Sequence, residues 1–252
     1  MSINSFKTEI NENISLTQDA RGLTFGTDAY LLSAFVKPQK KAVAADLGSG
    51  TGVIPLLCLS RNKAEKFFAI EIQESFASII EQNAIQNKLG ERLIPICSDL
   101  RSINAQSLGR EVDIVTANPP YMKADSGKRN ENDEKFIARH EVYGGIGDFC
   151  ACAARILKHG GRFYTVWRPD RLVDLICALR DNKLEPKEII FVYATPKNEP
   201  SMVLTRSVKG GSSGSVVTRP LFLHDSREDA VASILSQDAQ AIYDTCSFEA
   251  FK

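Results

Sequence analysis

Asn118, Pro119, Pro120 and Tyr121 have the clearest chemical potential in this sequence, because they directly follow a short apolar and β-branched run. Such a run is typical of a strand buried on both faces. Two prolines donate no backbone N–H and hold the chain extended, so they end the strand. The Asn118 side-chain oxygen and the Pro119 carbonyl can then each accept one N–H of a planar amine, whose lone pair stays free to attack an electrophile. The alternative is a turn that only ends a strand.

A glycine-rich turn lies earlier in the chain, between a predicted buried strand over residues 42–47 and a helix that begins near Val53. Its sequence is Asp46-Leu-Gly48-Ser49-Gly50-Thr51-Gly52. A strand, a glycine-rich turn and a helix open the nucleotide-binding half of a doubly wound α/β fold. The spacing departs from the dinucleotide fingerprint, and a carboxylate at Asp46 would repel a pyrophosphate while it can accept hydrogen bonds from an ammonium group. This pattern favours S-adenosylmethionine over NAD.

Two further carboxylates follow predicted strands. Glu71 ends the strand over residues 66–70, about twenty residues past the glycines, where an acid suits the hydroxyls of a ribose. Asp99 follows the strand over residues 92–97 and can accept the exocyclic N–H of an adenine. Each of them alone is equally consistent with a solvated acid or a turn residue.

The remaining pattern predicts a Rossmann-like, doubly wound α/β fold with seven strands, mostly parallel, with an antiparallel pair at one edge. We expect residues 1–208 to form this domain together with an irregular lead-in over 1–22. Residues 209–252 form an extension packed on the domain, which begins with a flexible glycine- and serine-rich linker and ends with a helix over 227–243. The helix over 74–87 is predicted to bury Phe76, Ile79, Ile80 and Ile85. The charged segment over 122–147 is predicted to be a substrate lid.

Composition excludes several classes of function. The chain has 252 residues and a formal net charge of zero, which argues against nucleic-acid binding driven by bulk charge. The amino terminus has no apolar signal region, no run approaches the length of a membrane span, and the six cysteines and three histidines match no zinc spacing. We therefore expect a cytoplasmic protein without a metal, and a monomer.

Together these residues form an ordered series at successive strand ends: the glycine turn, Glu71, Asp99 and Asn118 to Tyr121. The series resembles class I S-adenosylmethionine-dependent methyltransferases, and its last motif resembles their amino-methylating branch. Two further segments, 24–32 (TFGTDAYLL) and 138–141 (ARHE), and the tail around 220–225, are similar to the bacterial tRNA(Val) adenine-37 N6-methyltransferase family.

The resemblance implies a role for each matching residue. The glycine turn would hold the methionine part of the cofactor, Glu71 with Ile72 its ribose, and Asp99 with Leu100 its adenine. Asn118 and Pro119 would bind the target amine, with Tyr121 stacked on the flipped base. The remaining implied contacts are Phe25, Gly26, Thr27 and Asp28 at the methionine end of the cofactor, and Arg139, His140, Arg168, Arg171 and Lys209 on the RNA.

Three alternatives stay open from the sequence. A protein glutamine N5-methyltransferase also cradles an amide in Asn-Pro-Pro-Tyr, but such enzymes carry a longer helical domain in front of the first strand. A cofactor- or RNA-binding protein without catalysis would not need both Asn118 and Tyr121. A dehydrogenase would bind NADH in place of the methylated cofactor.

Overall fold

The computed structural model describes residues 5–11, 14–19, 26–120 and 144–251. The strands are β1 Ser5–Asn11, β2 Ile14–Asp19, β3 Val43–Leu47, β4 Lys66–Glu71, β5 Leu93–Cys97, β6 Val112–Ala117, β7 Leu157–Trp167, β8 Leu184–Tyr193, β9 Pro200–Lys209, β10 Val216–Val217 and β11 Leu221–Phe222. The helices are α1 Thr27–Phe35, α2 Val53–Ser60, α3 Glu74–Gln86, α4 Ile146–Ile156, α5 Leu172–Asp181, α6 Arg227–Val231 and α7 Gln237–Thr245, with single 3₁₀ turns at Leu100–Ser102 and Pro169–Arg171.

The central sheet has the strand order β10-β8-β9-β7-β6-β3-β4-β5, and β11 also pairs with β8. Strands β3 to β7 pair in parallel, whereas β9 runs antiparallel to both of its neighbours, β7 and β8. The predicted doubly wound, mostly parallel sheet with an antiparallel pair at one edge is therefore confirmed. Seven of its strands are long, and the short β10 and β11 extend the edge beyond β8.

Helices cover both faces of the sheet, which explains why the central strands are apolar on both sides. One buried cluster joins the sheet to α1, α2, α3 and α7. The other joins it to α4 and α5. All five residues of β3 and all six of β6 are buried, and burial on both faces is what parallel strands in such folds require. No helix in the described part of the chain is long and apolar enough to cross a membrane.

The amino-terminal segment is a hairpin, β1 and β2, and not the irregular lead-in that the sequence predicted. The amide side chains of Asn83 on α3 and of Asn87 at its carboxyl-terminal end bond the backbone of β2, as a neighbouring strand would. Asn83 accepts from the Thr17 N–H at 2.7 Å and donates to the Thr17 carbonyl at 3.0 Å. Asn87 makes the same pair of bonds with the backbone of Ser15. Only Ile14 and Leu16 of β2 are apolar and buried, and an alternation of two apolar residues is too short to predict a strand.

The carboxyl-terminal segment contributes to the first buried cluster through Leu221, Ile242 and Cys246. Tyr243 on α7 stacks on Tyr30 of α1 with ring centroids 4.5 Å apart, and its backbone carbonyl accepts a hydrogen bond from the Tyr30 hydroxyl at 2.5 Å. These contacts attach α7 to the helix that begins next to the site described below.

Three local predictions were wrong. The tail helix expected over 227–243 is two helices, because a left-handed residue, Ser233, and a new cap at Ser236 interrupt it. The expected flexible linker is a turn held by bonds such as Gly210 N–H to the Lys183 carbonyl, 2.8 Å. Ile85, expected in the core, is 68% exposed, since it lies on the outer face of α3.

Asn83 provides a test of how the hairpin is attached. The side chain is fully buried and also donates to the Thr51 carbonyl in the glycine-rich turn, at 2.8 Å. Asn83→Ala leaves three backbone groups without this partner, so we expect the free energy of unfolding to fall by about 1–3 kcal/mol. Chemical denaturation measures it, with the exposed Gln82→Ala on the same helix as control. Equal effects of the two substitutions would contradict the assignment.

Candidate active site

The end of β6 lies beside the glycine-rich turn. Leu47 of β3 pairs with Ala117 of β6, so the next residues along the two strands, Gly48 and Asn118, are neighbours at the carboxyl edge of the sheet. Asn118 is half-buried, Pro119 is buried and Pro120 is exposed. Because carboxyl ends of parallel strands meet at one edge, the register brings the predicted amine-binding residues to the predicted cofactor turn.

A cleft of about 280 Å³ opens at this edge. The sequence-predicted residues that line it are Gly48, Gly50, Glu71, Ile72, Asp99, Leu100, Asn118 and Pro120. Five other lining residues, Ile70, Gln73, Phe76, Ser98 and Phe149, carried no predicted role in the site. The cleft thus joins the ends of β3, β4, β5 and β6 in one space.

The side chain of Asn118 has a defined orientation. Its Nδ2 donates to Oδ2 of Asp28, at the start of α1, at 2.9 Å. Its Oδ1 therefore lies on the opposite side of the planar amide and receives no hydrogen bond from the residues that the structure describes. Asp28 was predicted as a cofactor contact, and the structure shows it in contact with the amine-binding motif.

Asp46 does not lie in the cleft, in contrast to its predicted contact with an ammonium group. It is 1% exposed. Its two oxygens accept hydrogen bonds from the hydroxyls of Ser49 and Thr116, each at 2.6 Å. Burial raises the pKa of Asp46 to about 7, although both hydroxyl bonds act in the other direction. Asp46 therefore links the glycine-rich turn, through Ser49, to β6, through Thr116.

Glu71 lies at the end of β4 with its carboxylate on the cleft wall. Oε2 accepts the Gly50 N–H at 2.9 Å and Oε1 accepts the Gln73 N–H at 3.0 Å. Burial raises the pKa of Glu71, and these backbone bonds oppose the shift. Glu71 is 5% exposed, so the hydroxyls of a ligand would share this carboxylate with donors that the protein already supplies.

Asp99 lines the cleft, but its carboxylate is already hydrogen-bonded to Arg101. The Arg101 side chain binds both carboxylate oxygens, with the shortest contact 2.5 Å from Nη2 to Oδ2. The Arg101 N–H adds a fourth bond at 2.8 Å. The hydrogen bonds from Arg101 hold the pKa of Asp99 below its usual range. An adenine N–H can reach this carboxylate only if Arg101 releases one of its bonds.

Two aromatic rings complete the cleft, and neither was predicted there. Phe149 lies on α4 after the predicted lid, and its ring would be 3.3 Å from a Cβ at Gly48. Only glycine therefore allows the turn to pass this ring at a backbone φ of +66°. Phe76 was predicted as a core residue, whereas it is half-buried on the cleft wall.

The other predicted cofactor residues surround the cleft without lining it. Gly26 precedes α1 and Thr27 is its first residue. Ser49 is bonded to Asp46, the Thr51 carbonyl accepts from Asn83, and Gly52 is the amino-terminal cap of α2. Phe25 and Tyr121 lie outside the described residues.

The predicted RNA contacts fall at two different edges. Arg168 and Arg171 follow β7 at the cleft edge and pair with Asp170 and Asp174, at 2.5 and 2.6 Å. Lys209 ends the antiparallel β9 and therefore lies at the opposite edge, where its Nζ donates to the Leu157 carbonyl. Arg139 and His140 lie outside the described residues.

A ligand cleft at the carboxyl edge of a doubly wound sheet, with a glycine-rich turn and a strand-end acid on its wall, defines a Rossmann-like cofactor-binding domain. The chain belongs to the methyltransferase small domain family, whose match covers residues 20–174. Within the described residues, no cluster of three or more His, Cys, Asp or Glu side chains could hold a metal ion.

Relatives and solved structures agree with this family. The chain is 25% identical over 200 residues to a Porphyromonas gingivalis protein named tRNA1(Val) (adenine(37)-N6)-methyltransferase, covering 77% of this chain and 78% of the relative. A Bacteroides fragilis protein of the same name is 24% identical over 197 residues, covering 77% and 80%. The crystal structure of a predicted O-methyltransferase from Agrobacterium tumefaciens has the same fold, with a TM-score of 0.70 at 19% identity, covering 88% of this chain and 97% of that one.

The raised pKa of Asp46 gives a test of its buried position. The folded protein binds this proton more tightly than the unfolded chain, so the stability it contributes is complete below about pH 4 and is lost as the pH rises through about 7. Asp46→Asn removes this dependence. We expect the unfolding free energy of the variant to rise relative to wild type between pH 5 and about pH 8. A constant difference over that range in denaturant titrations would contradict the raised pKa.

Proposed function

We propose that this protein is an S-adenosylmethionine-dependent methyltransferase that modifies the exocyclic N6 of an adenine in RNA, at adenosine 37 of a tRNA anticodon loop. The observation that carries the proposal is the position of Asn118. Its amide oxygen receives no hydrogen bond from the described residues, and Asn118 lines the cleft directly beside the glycine-rich turn.

Hydrogen-bond acceptors and an open glycine backbone in the cleft suit this cofactor. Gly50 has a φ of +55°, and apart from its chain neighbours no described residue comes within 4 Å of the position where a Cβ would stand, so a ligand can lie against its backbone. Glu71 is placed to accept ribose hydroxyls, with Ile72 beside it. Asp99 and Leu100 stand at the adenine end, and Phe76 and Phe149 add apolar walls. When bound, S-adenosylmethionine supplies a methyl group activated on a sulfonium.

The protein's own contribution is orientation of the target amine. Oδ1 of Asn118 and the Pro119 carbonyl each accept one N–H of the adenine amine, so the nitrogen lone pair points into the cleft. Held orientation of two reactants can lower a barrier by ~7–11 kcal/mol. We place no general base in this site, because the nitrogen can lose its extra proton to water after transfer. Tyr121 is proposed to stack on the base, which leaves the RNA stack at a cost of a few kcal/mol.

The substrate class comes from the relatives. Two proteins that match this chain over more than three quarters of their length are named for N6 methylation of adenine 37 in a valine tRNA. The same acceptor motif also fits the side-chain amide of a protein glutamine, but no feature of the described cleft favours that substrate.

Two groups of basic residues are proposed to contact the tRNA backbone. Arg168 and Arg171 lie at the cleft edge, and Arg139 and His140 are expected to act from the segment that follows Tyr121. At the opposite edge Lys209 joins three other basic side chains around a shallow depression of about 420 Å³: Arg155, His159 and Lys183. No carboxylate is among the described residues that line it. Arg155 and Lys209 are held by backbone carbonyls, which leave their charge uncompensated.

The remaining expectations concern the whole molecule. That one chain is the working unit stays a prediction from the sequence. Residues 1–208 form the catalytic domain in this proposal, and residues 209–252 form an extension that holds α1 through Tyr243. A tRNA substrate places the reaction in the cytoplasm.

Asn118 is the direct test of the proposed reaction. Asn118→Ala removes one of two acceptors for the amine but leaves the walls of the cleft in place. We expect methyl transfer to tRNA to fall to a trace rate that only single-turnover assays detect, while the affinity for S-adenosylhomocysteine stays within about twofold. Radiolabelled transfer, with mass spectrometry of the tRNA nucleosides, and calorimetric binding measure the two quantities. Unchanged methylation by the variant would remove Asn118 from its role, and label in protein with none in RNA would refute the RNA substrate.

Lys183 tests the second basic group. It is exposed and has a φ of +58°, as does Lys88 on the other face of the sheet, so the two substitutions by alanine are matched in charge and in backbone conformation. Each phosphate contact contributes about 0.7–0.9 to the slope of log affinity against log salt. We expect Lys183→Ala to weaken tRNA binding and reduce this slope, and Lys88→Ala to do neither. If both variants lost tRNA affinity equally in filter-binding titrations, binding would depend only on net charge and the proposed contact at Lys183 would be wrong.

A further inference from the structure

The first turn of α1 contacts the amine-binding motif at the end of β6. Asp28 is 90 residues from Asn118 in sequence, and its Oδ2 accepts from Asn118 Nδ2 at 2.9 Å. Its Oδ1 accepts the Ala29 N–H at 2.8 Å. One carboxylate therefore binds both its own helix and the side chain that stands at the rim of the cleft.

This bond decides which end of the Asn118 amide faces the substrate. A primary amide can rotate by half a turn about its last side-chain bond, which exchanges its oxygen and its NH₂ group. In the rotated state the NH₂ would face the target amine, and two sets of N–H donors would oppose each other. An ionised carboxylate only accepts hydrogen bonds, so Asp28 holds the NH₂ on its own side and turns the oxygen the other way.

We propose that Asp28 is a positioning residue for methyl transfer: it keeps the amide oxygen of Asn118 directed at the target amine. The inference rests on the proposed function of the cleft. It differs from the cofactor contact that the sequence implied for Asp28. A hydrogen bond to a charged acceptor is roughly twice as strong as a neutral one. It also polarises the amide and makes its oxygen a better acceptor.

The carboxylate is itself held in place. It lies in the first turn of α1, where the helix dipole favours a negative charge. On the same helix, the Tyr30 hydroxyl donates to the backbone carbonyl of Tyr243 on α7 at 2.5 Å. The Tyr243 ring stacks on Tyr30, one turn along α1. The carboxyl-terminal extension thus fixes the turn that carries Asp28.

The test separates positioning from cofactor binding. Loss of orientation at a reacting group can cost about 10²-fold in rate. We expect Asp28→Ala to lower kcat for tRNA methylation by about that factor, with the KM for tRNA and the affinity for S-adenosylhomocysteine within about threefold of wild type. Asp28→Asn keeps an acceptor oxygen but loses the charge, so its loss should be smaller. Glu74→Ala, which removes an exposed first-turn acid from α3, is the control for helix stability.

Two further readouts show whether Asp28 acts through Asn118. In a double-mutant cycle, Asp28→Ala should add little to the loss already caused by Asn118→Ala. In NMR spectra, the side-chain NH₂ signal of Asn118, assigned by its absence in Asn118→Ala, should lose its protection from hydrogen exchange in Asp28→Ala.

The outcomes that would overturn the inference are distinct from failure of the proposed function. Wild-type kcat in Asp28→Ala, or losses that multiply in the double variant, would refute positioning while tRNA methylation by the wild type stands. If Asp28→Ala greatly weakened S-adenosylhomocysteine binding but left the hydrogen exchange of the Asn118 NH₂ unchanged, Asp28 would be a cofactor contact and not a positioning residue. Absence of methyl transfer by the wild-type protein itself would refute the function and leave the exchange measurement as the test of the bond.

Discussion

The pairing register between β3 and β6 is the constraint on which the site depends. Leu47 opposite Ala117 makes Gly48 and Asn118 adjacent, and a slip of one residue would turn every side chain of β6 to the other face of the sheet. Two side-chain bonds between the strands, from Thr116 to Asp46 and from the Val43 N–H to Asp113, specify this register. The two prolines then prevent the strand from continuing, so the amine-binding residues stop at the wall of the cleft.

Buried polar groups connect the site to its supports. Asp46 and Thr116 link β3 to β6, Asn83 links the glycine-rich turn to the amino-terminal hairpin, and Asp28 links α1 to Asn118. Each of these side chains is bonded to groups far away in the sequence. Networks of this kind hold one geometry because an unpaired buried polar group is costly. Three supports therefore hold the cleft: Asp46 in the interior, α3, and α1 with the carboxyl-terminal extension.

Local sequence patterns predicted much of the fold and part of the site. Buried strands, the glycine-rich turn and strand-end acids have short-range signals, so Gly48, Glu71 and Asn118 were predicted at the cleft and the structure places them there. Phe149 and the Asp28–Asn118 bond depend on how distant elements pack, and no local spacing encodes them. Asp46 was assigned to the ligand because its type and position suited an ammonium group. Its two hydroxyl partners, one of them 70 residues away, decide that it faces the interior instead. β2 was missed because its apolar alternation is limited to Ile14 and Leu16, while the bonds of Ser15 and Thr17 to amides of distant residues have no local signal.

The central claim is that one cleft holds both the cofactor and the acceptors for the target amine. A crystal structure of the protein with S-adenosylhomocysteine tests it most directly. The account predicts that the thioether sulfur lies opposite Asn118 Oδ1, with room for a single nitrogen between them and with the ribose on Glu71. A sulfur atom bound far from Asn118, or an Asn118 closed off from the ligand by other side chains, would contradict it.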